Sequence, residues 1–287
     1  MVPKSETWRK NFRSVVLLAI LGVCAALAWV LAWHKSAPAR DGREILAGIR
    51  RQGIRQYWTQ NVQRRQWFLI RRDGNVVGWE MEFRQAGPDG AGGGFERRTN
   101  VNTGQERISA RWRLTNNAEE GQYQSQRVEF SRTRAEVSEA KIVLQNRTLQ
   151  VYQNIDGVRY VSTAAASENY LPEGLMPLAM REVARRQGRA RFEMVEDGSH
   201  PEESQGGRTP LYPFELRYLG KDSQTGGAMV ETSFGGGSSW VTVIDETGNV
   251  LRRFGSNVEF LPATREEIQK QFPSAVEVIA DDETVEM

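Results

Sequence analysis

An apolar run near the start of the chain constrains its architecture more than any other feature. The nineteen residues from Val15 to Trp33 carry no charge and no strongly polar side chain. A helix of about 20 apolar residues matches the hydrocarbon thickness of a bilayer. The sequence therefore predicts a transmembrane helix at 15–33, a cytoplasmic stub at 1–14 and a domain of about 250 residues outside the membrane.

The apolar run has two alternative readings, a cleaved signal peptide and a lipoprotein signal. The core of a signal peptide is usually about 7–15 residues, which is shorter than this run, although Ala37-Pro38-Ala39 offers a small-x-small cleavage pattern. A lipoprotein signal needs a small residue before its cysteine, whereas Val23 precedes Cys24. Trp29 and Trp33 fit an interfacial aromatic belt. We therefore predict an uncleaved signal anchor.

Orientation and compartment follow from the long C-terminal part and from cysteine usage. Basic residues flank the run almost equally on both sides, so charge alone decides little. A long C-terminal domain translocates largely regardless of charge, which favours a cytoplasmic N-terminus. Cys24 is the only cysteine, so the outer domain has no disulfide. This favours a bacterial envelope membrane, where larger domains rely on a core.

The segment 34–65 is strongly basic and is predicted to be a juxtamembrane helix or linker. Arg40 to Arg72 holds nine arginines against Asp41 and Glu44, and the apolar spacing predicts a helix from Asp41 to about Tyr57. Basic residues beside a membrane can contact anionic lipid headgroups, and a solvated helix face is the equal alternative. The candidate contacts are Arg43, Arg50, Arg51 and Arg55. Nucleic acid is excluded as a partner, because the bulk of the protein is not basic.

Residues 66–262 have the pattern of an antiparallel β domain. Trp79, Met81 and Phe83 alternate with charged residues after the turn at Asp73-Gly74-Asn75, which predicts a hairpin. Further short alternating segments follow, with turn residues between them, such as Asp156-Gly157. The pattern predicts a sheet of about ten or more strands with one apolar face, and a sheet of that length should curl.

One predicted strand presents three arginines on its outward face, Arg107, Arg111 and Arg113. They form either an anion-binding stripe or cross-strand pairs with acidic residues such as Glu80, Glu82 or Glu129. We favour pairing, because acidic faces of suitable length exist in the chain.

Two helical segments interrupt or follow the strands. The first is an insertion at 170–188, with a helix from about Leu178 to Gln187 that Gly188 ends. The second lies in 263–287, where Thr264 and Glu267 form a capping box before an acidic tail. The predicted fold is mainly β: an N-terminal transmembrane helix, a long curled, half-barrel-like antiparallel sheet with a short helical insertion, and a C-terminal helix.

A curled sheet with helices over its apolar face offers a candidate ligand cavity. Large apolar side chains on the strands and on the insertion would line it: Trp79, Trp112, Leu175, Met176, Met180 and Trp240. Residues of this kind at strand spacing are more often simple core, so both readings stay open.

The order of elements resembles that of periplasmic lipoprotein-carrier (Lol-type) half-barrels and related envelope proteins of unknown function. The resemblance rests on the turn at Arg72–Gly78, the insertion YLPEGLMP from Tyr170, and the hairpin at Val243–Leu251. It covers about Gln66 to Phe260 and implies a hydrophobic cavity for acyl chains. A permanent anchor departs from a carrier that must diffuse between membranes.

Catalytic and cofactor motifs are missing from the sequence. His200 lies in the polar loop Asp197–Glu203, and no second histidine or cysteine completes a transition-metal set, so no metal and no cofactor is predicted. We therefore expect a non-enzymatic binding or scaffolding protein of the cell envelope, with a protein partner or an apolar, lipid-like ligand. The alternative is an envelope-polymer hydrolase that uses paired carboxylates.

Overall fold

The computed structural model describes residues 37–55, 64–86, 92–101, 104–130, 135–195, 211–235, 237 and 239–273. The predicted stub at 1–14, the predicted transmembrane helix at 15–33, the loop around His200 and the acidic tail lie outside these residues. Among the helices that the structure describes, none has the length and apolar character to cross a bilayer.

The described residues form one sheet of fourteen strands, all paired antiparallel with their neighbours. In chain order the strands are β1 (Arg64–Arg72), β2 (Asn75–Ala86), β3 (Gly92–Val101), β4 (Gly104–Leu114), β5 (Gly121–Phe130), β6 (Ala135–Gln145), β7 (Thr148–Ile155), β8 (Val158–Ala165), β9 (Arg189–Val195), β10 (Leu211–Lys221), β11 (Ala228–Phe234), β12 (Ser239–Ile244), β13 (Val250–Gly255) and β14 (Val258–Ala263). The spatial order is β8 to β1 followed by β14 to β9, so the first strand pairs with the last at the centre. The predicted long antiparallel sheet is confirmed.

Tight hairpins join consecutive strands where two successive residues take positive φ. Asp73-Gly74 has φ of 50° and 80°, and Asp156-Gly157 has 50° and 86°. Such angles suit the right-handed twist of the flanking strands and favour Asp-Gly pairs. Both turns were predicted. The hairpin between β13 and β14 was missed, because the residues at its turn, Ser256 and Asn257, carry no glycine signal.

Within the described ranges, three α-helices accompany the sheet: α1, helical over 37–52, α2 (Met176–Arg186) and α3 (Arg265–Gln271). Helix α2 begins two residues before the predicted start, and Gln187, with φ 50°, takes the left-handed position that was expected of Gly188. The capping box predicted for α3 is confirmed, since the Thr264 side chain accepts a bond from the Glu267 backbone N–H and Glu267 bonds back to Thr264.

Helix α1 is part of the domain core, although the sequence indicated a juxtamembrane helix or linker. Ile45, Leu46 and Ile49 are at most 2% exposed and pack in one cluster with Leu178 and Val183 of α2. The same cluster contains apolar side chains of the sheet: Trp112, Leu114, Phe192, Phe214, Leu216, Val230 and Ile244. Both helices therefore cover one face of the sheet, which we call the inner face.

The opposite, outer face is also apolar near the centre of the sheet. Leu69, Trp79 and Met81 form a cluster with Ile268 of α3, which is fully buried. The sequence places apolar side chains on both faces of the first strand, as observed for Phe68 and Leu69, but the prediction of one apolar face for the whole sheet is wrong at β2. Both faces of β1 and β2 are buried here, because α3 covers the outer face.

The sheet curls until its two ends share a core. Val195 at the end of β9 packs with Leu149 and Val151 of β7, although these strands lie near opposite ends of the spatial order. The segment after β8 contributes Tyr170, which also pairs with Glu193 of β9 in a parallel bridge. The predicted curl of the sheet is thus observed.

Candidate functional site

The predicted cavity-lining residues do not come together around one space. Trp112 and Leu175 are buried in the main core, and Met176 and Met180 pack against it. Trp79, which is 2% exposed, belongs to the outer cluster under α3. Trp240 is 36% exposed, with its ring 5.8 Å from that of Phe260. Five of the six candidates are therefore packed core or lie against it, and the sixth lies apart.

The arginines predicted to contact lipid differ in their exposure to solvent. Arg43 is exposed and donates to a Glu168 carboxylate oxygen at 3.0 Å, and this bond holds the pKa of Glu168 below its usual value. Arg51 and Arg55 are exposed and Arg50 is half-buried. Arg43 thus ties α1 to the loop after β8, and contact with headgroups stays a prediction.

A cluster of buried charges lies on the inner face near the centre of the sheet, where the Arg253 side chain of β13 reaches across β14 and β1 to β2. Glu80 and Glu82 are each 2% exposed, and Arg253 donates to both of them, at 3.0 Å for Glu82. The Thr99 hydroxyl donates to Glu80 at 3.1 Å, and Arg84 lies 3.4 Å from Glu82.

Two aromatic rings complete the surroundings of the Arg253 guanidinium. Its central carbon lies 4.7 Å from the ring centre of Phe260 and 5.6 Å from that of Phe68. Arg253 is therefore held by two carboxylates and two rings. We call Glu80, Glu82 and Arg253 the inner charge cluster.

The pKa values of the two carboxyl groups in this cluster shift in opposite directions. Loss of solvation raises the pKa of Glu80 above its usual value, and the attraction of Arg253 does not fully offset it. Burial also acts to raise the pKa of Glu82, but Arg253, Arg84 and Arg97 outweigh it and hold the pKa below the usual value. Burial acts to lower the pKa of Arg253, yet its two carboxylate partners raise it.

The geometry of the inner charge cluster does not suit glycoside hydrolysis. Glycosidases place two carboxyl groups across a cleft, about 5–9.5 Å apart, with substrate between them. Glu80 and Glu82 are neighbours on the same face of one strand, and a single arginine bridges them. The pair is therefore already occupied by a cation from within the fold.

A groove of about 980 Å³ runs along the outer face of β1 to β8. Two adjacent rows of outward side chains line it, one from Arg65 through Ser109 to Arg159 and one from Gln85 through Gln124 to Val161. Residues between the two rows point inward, among them Ala110, Ser125, Ala140 and Gln153, which are 4–9% exposed. Their backbone forms the floor of the groove.

The groove has an excess of positive charge. Its cationic side chains are Arg65, Arg107, Arg111, Lys141 and Arg159, and its acidic ones are Glu96 and Glu139. Glu96 accepts from Arg98 at 2.9 Å and from Arg107 at 2.8 Å. Glu139 accepts from Gln126 at 3.1 Å and from Asn154 at 3.3 Å. Both acids are therefore engaged with neighbouring side chains.

The arginine strand has a different set of neighbours from the one expected. Arg107 pairs with Glu96, so cross-strand pairing occurs, but Glu80 and Glu82 lie on the inner face and Glu129 pairs with Arg127 at 2.9 Å. Arg107 and Arg111 both line the groove, which is the position that an anion-binding stripe requires.

Sequence reasoning missed both the inner charge cluster and the groove. The alternation along β2 placed Glu80 and Glu82 on one face, but no local pattern indicates that a strand 170 residues later supplies Arg253 to that face. The available signal was the spacing of Glu80 and Glu82, which are two residues apart and lie on the other face of the strand from Trp79 and Met81. The groove depends on the register of eight strands, which turn residues alone do not fix.

No metal site is visible in the part of the chain that the structure describes, where no group of three or more His, Cys, Asp or Glu side chains is placed to hold an ion. The loop Asp197–Glu203 lies outside that part.

Comparison with known proteins adds a fold likeness. No family model matches the chain, and no curated protein matches it. Among solved structures, it is similar to the crystal structure of a beta-barrel-like protein of domain of unknown function DUF1849 from Brucella abortus. The TM-score is 0.48 and the identity 6%, over 71% of this chain and 96% of that chain. The resemblance to Lol-type carriers is not confirmed.

Proposed function

We propose that this chain is a single-pass membrane protein of the bacterial cell envelope whose outer β domain binds a ligand or partner without catalysing a reaction. The observation that carries the proposal is the outer groove of about 980 Å³, which has an excess of cationic side chains and crosses eight strands. A concave site with convergent polar groups is the usual form of a binding site.

The groove favours binding over hydrolysis because its two acids are far apart. Glu96 on β3 and Glu139 on β6 stand in the same cross-strand row, three strands from one another. Strands in a sheet are about 4.8 Å apart, so the two residues are separated by roughly 14 Å. Glycosidase carboxyl groups lie within about 9.5 Å of each other. The hydrolase alternative therefore has no acid pair at this groove.

The inner face disfavours an apolar ligand. Helices α1 and α2 pack into the main core there, and the inner charge cluster lies on the same face. A polar partner at the outer groove is the better candidate.

The apolar run supports the anchor, and α1 indicates where the domain would sit. Residues 34–36 separate the predicted transmembrane helix at 15–33 from the first described residue of α1, whose apolar side is buried in the domain. A link this short would hold the β domain at the membrane surface, with the exposed Arg51 and Arg55 on α1 and just after it. Carbonate extraction should leave the full chain in the membrane fraction, and deletion of 15–33 should release it.

Crosslinking from the groove tests the binding role. A photoreactive residue replaces Gln126 or Gln124 in the full-length protein in cells, and Ser223, exposed in the turn between β10 and β11, serves as control. We expect the same discrete adduct from both groove positions and none from Ser223. Adducts that are equal at all three positions would overturn the proposed site.

A second measurement separates binding from catalysis. Glu96→Gln and Glu139→Gln are assayed for release of soluble fragments from isolated envelope polymer. We expect the native chain and both variants to release the same background amount. Release by the native chain that either substitution abolishes would establish the hydrolase instead.

A further inference from the structure

We propose that the outer groove binds a negatively charged polysaccharide, a glycan chain that carries carboxylate or phosphate groups. This inference rests on the proposed binding function and names the chemical class of its ligand. It depends on three properties of the groove: its direction across the strands, its charge and the kinds of side chain that line it.

The groove is long and crosses the strands. Its rows follow cross-strand neighbours from β1 to β8, which at about 4.8 Å per strand is roughly 34 Å measured along the sheet. Such a length suits an extended polymer better than a small molecule. A chain lying in the groove would contact one pair of outward side chains on each strand that it crosses.

The direction of the groove also disfavours a peptide. Extended peptides gain affinity mainly through backbone hydrogen bonds to an exposed strand edge. Here β2 to β7 are each paired on both sides, so their backbone groups are already used within the sheet. A ligand that crosses these strands must be recognised by side chains alone.

The cations of the groove indicate the sign of the ligand charge. Five cationic side chains line the groove against two acids, and both acids already accept hydrogen bonds from neighbouring side chains. Lys141 and Arg159 lie toward the β8 end, and Arg65 lies at the β1 end. A polyanion can therefore meet positive charge along the whole length of the groove.

The uncharged side chains match the remainder of a sugar polymer. Four amide side chains line the groove: Gln85, Gln124, Gln126 and Asn154. An amide both donates and accepts hydrogen bonds, as does a sugar hydroxyl. Tyr152, which is 40% exposed, and Phe83 offer aromatic surface to the apolar side of a sugar ring. The combination of amides, rings and cations fits a charged glycan better than a lone anion.

The test measures binding of defined polymers to the full chain in detergent micelles. The probes are polygalacturonate, phosphorylated dextran, neutral dextran and polyglutamate, each assayed by calorimetry at two salt concentrations. We expect a charged glycan to bind at least 10-fold more tightly than neutral dextran and than polyglutamate, with affinity falling as salt rises. Comparison of the two charged glycans tells carboxylate from phosphate preference.

Matched variants place the binding in the groove. Lys141→Gln should weaken binding of the charged glycan about 5-fold, a loss equivalent to about 1 kcal/mol. Tyr152→Ala should weaken it by a similar factor. Lys221→Gln, an exposed lysine at the end of β10, should leave it unchanged. Both groove residues are exposed, so the variants should fold, and circular dichroism checks this.

Three results would overturn the inference. These are equal binding of neutral and charged dextran, polyglutamate binding at least as tight as that of the glycans, and equal losses from Lys141→Gln and Lys221→Gln. Any of them, together with discrete adducts from Gln124 and Gln126 in cells, would leave the groove as a binding site for a different class of partner. Absence of those adducts would instead contradict the proposed function itself.

Discussion

Arg253 forms ion pairs with both Glu80 and Glu82, so its replacement by methionine is the sharpest test of how the interior is stabilised. Methionine keeps much of the volume between Phe68 and Phe260 but removes the charge. Two carboxyl groups that are each 2% exposed would then face each other with only Arg84 and Arg97 nearby. Breaking a buried ion pair by removing one partner costs about 3–5 kcal/mol.

The expected loss is large enough to measure by heat or urea. For a domain of this size, 1 kcal/mol shifts Tm by roughly 2–4 °C, so Arg253→Met should lower Tm by roughly 6–20 °C at pH 7. Arg217→Met is the matched control. That arginine pairs with Glu231 at 2.7 Å but is 54% exposed, and its loss should cost about 0–1 kcal/mol.

A triple variant separates loss of charge pairing from loss of packing. Arg253→Met combined with Glu80→Gln and Glu82→Gln removes the unpaired charges and leaves side chains of similar volume. It should recover more than half of the stability that Arg253→Met loses. A cost of less than about 1 kcal/mol for Arg253→Met, or a triple variant no more stable than the single one, would show that pairing with Arg253 does not stabilise the interior.

The pH dependence gives an independent check on the inner charge cluster. The pKa of Glu80 is raised above 4.5, so the folded state binds more protons at this site than the unfolded state between pH 4.5 and the raised pKa. This carboxyl alone therefore lowers stability as pH rises through that window. The pKa of Glu82 is lowered, so its contribution is present above pH 4.5 and is lost as pH falls through the lowered pKa. Glu80→Gln should remove the first effect and keep the second, as urea midpoints across pH would show.

The remaining predictions concern the helices and two glycines, each measured by urea denaturation. Leu46→Ala should lower the free energy of unfolding by about 2–5 kcal/mol, because Leu46 is buried in the main core. Ala47→Ser, on the exposed side of α1, should change it by less than about 0.5 kcal/mol. Equal effects would mean that α1 is not part of the core. Thr264→Ala should cost about 1 kcal/mol through loss of the capping box, and no change would show that α3 is not held by it. Gly78→Ala should destabilise the protein by more than about 2 kcal/mol, since the new Cβ would overlap the backbone of β3. Gly48→Ala in α1, where nothing lies within 4 Å of the new Cβ, should stabilise it by about 0.5–1 kcal/mol. Stability changes of the same sign for both variants would contradict these two expectations.

Local patterns were sufficient to predict most of the strands and their turns. The alternation in β2 and the Asp-Gly pairs before β2 and β8 depend only on neighbouring residues, and the same holds for the capping box of α3. These elements formed as expected because turn chemistry and side-chain periodicity act over a few residues. The failure at β13 and β14 is of the same kind, since Ser256 takes a positive φ that its residue type does not announce.

Local patterns did not predict which part of the protein covers an apolar surface. The basic composition of α1 indicated a helix beside the membrane, yet Ile45, Leu46 and Ile49 bury it in the domain. An amphipathic helix carries an apolar stripe, but the stripe does not state which surface covers it. The six predicted cavity residues illustrate the same limit, because large apolar side chains fill a core as readily as they line a cavity.

Local residue patterns alone indicate an apolar run long enough to span a membrane and a mainly antiparallel β domain, and they contain no recognisable catalytic motif. Which side of each strand is interior depends on the fold of the whole sheet. That fold placed Glu80 and Glu82 beside Arg253, 173 and 171 residues away in sequence, and it aligned eight strands so that their outward side chains form the groove. Side-chain periodicity sets which residues of one strand share a face. The curl and register of the whole sheet set which side chains of other strands that face contacts.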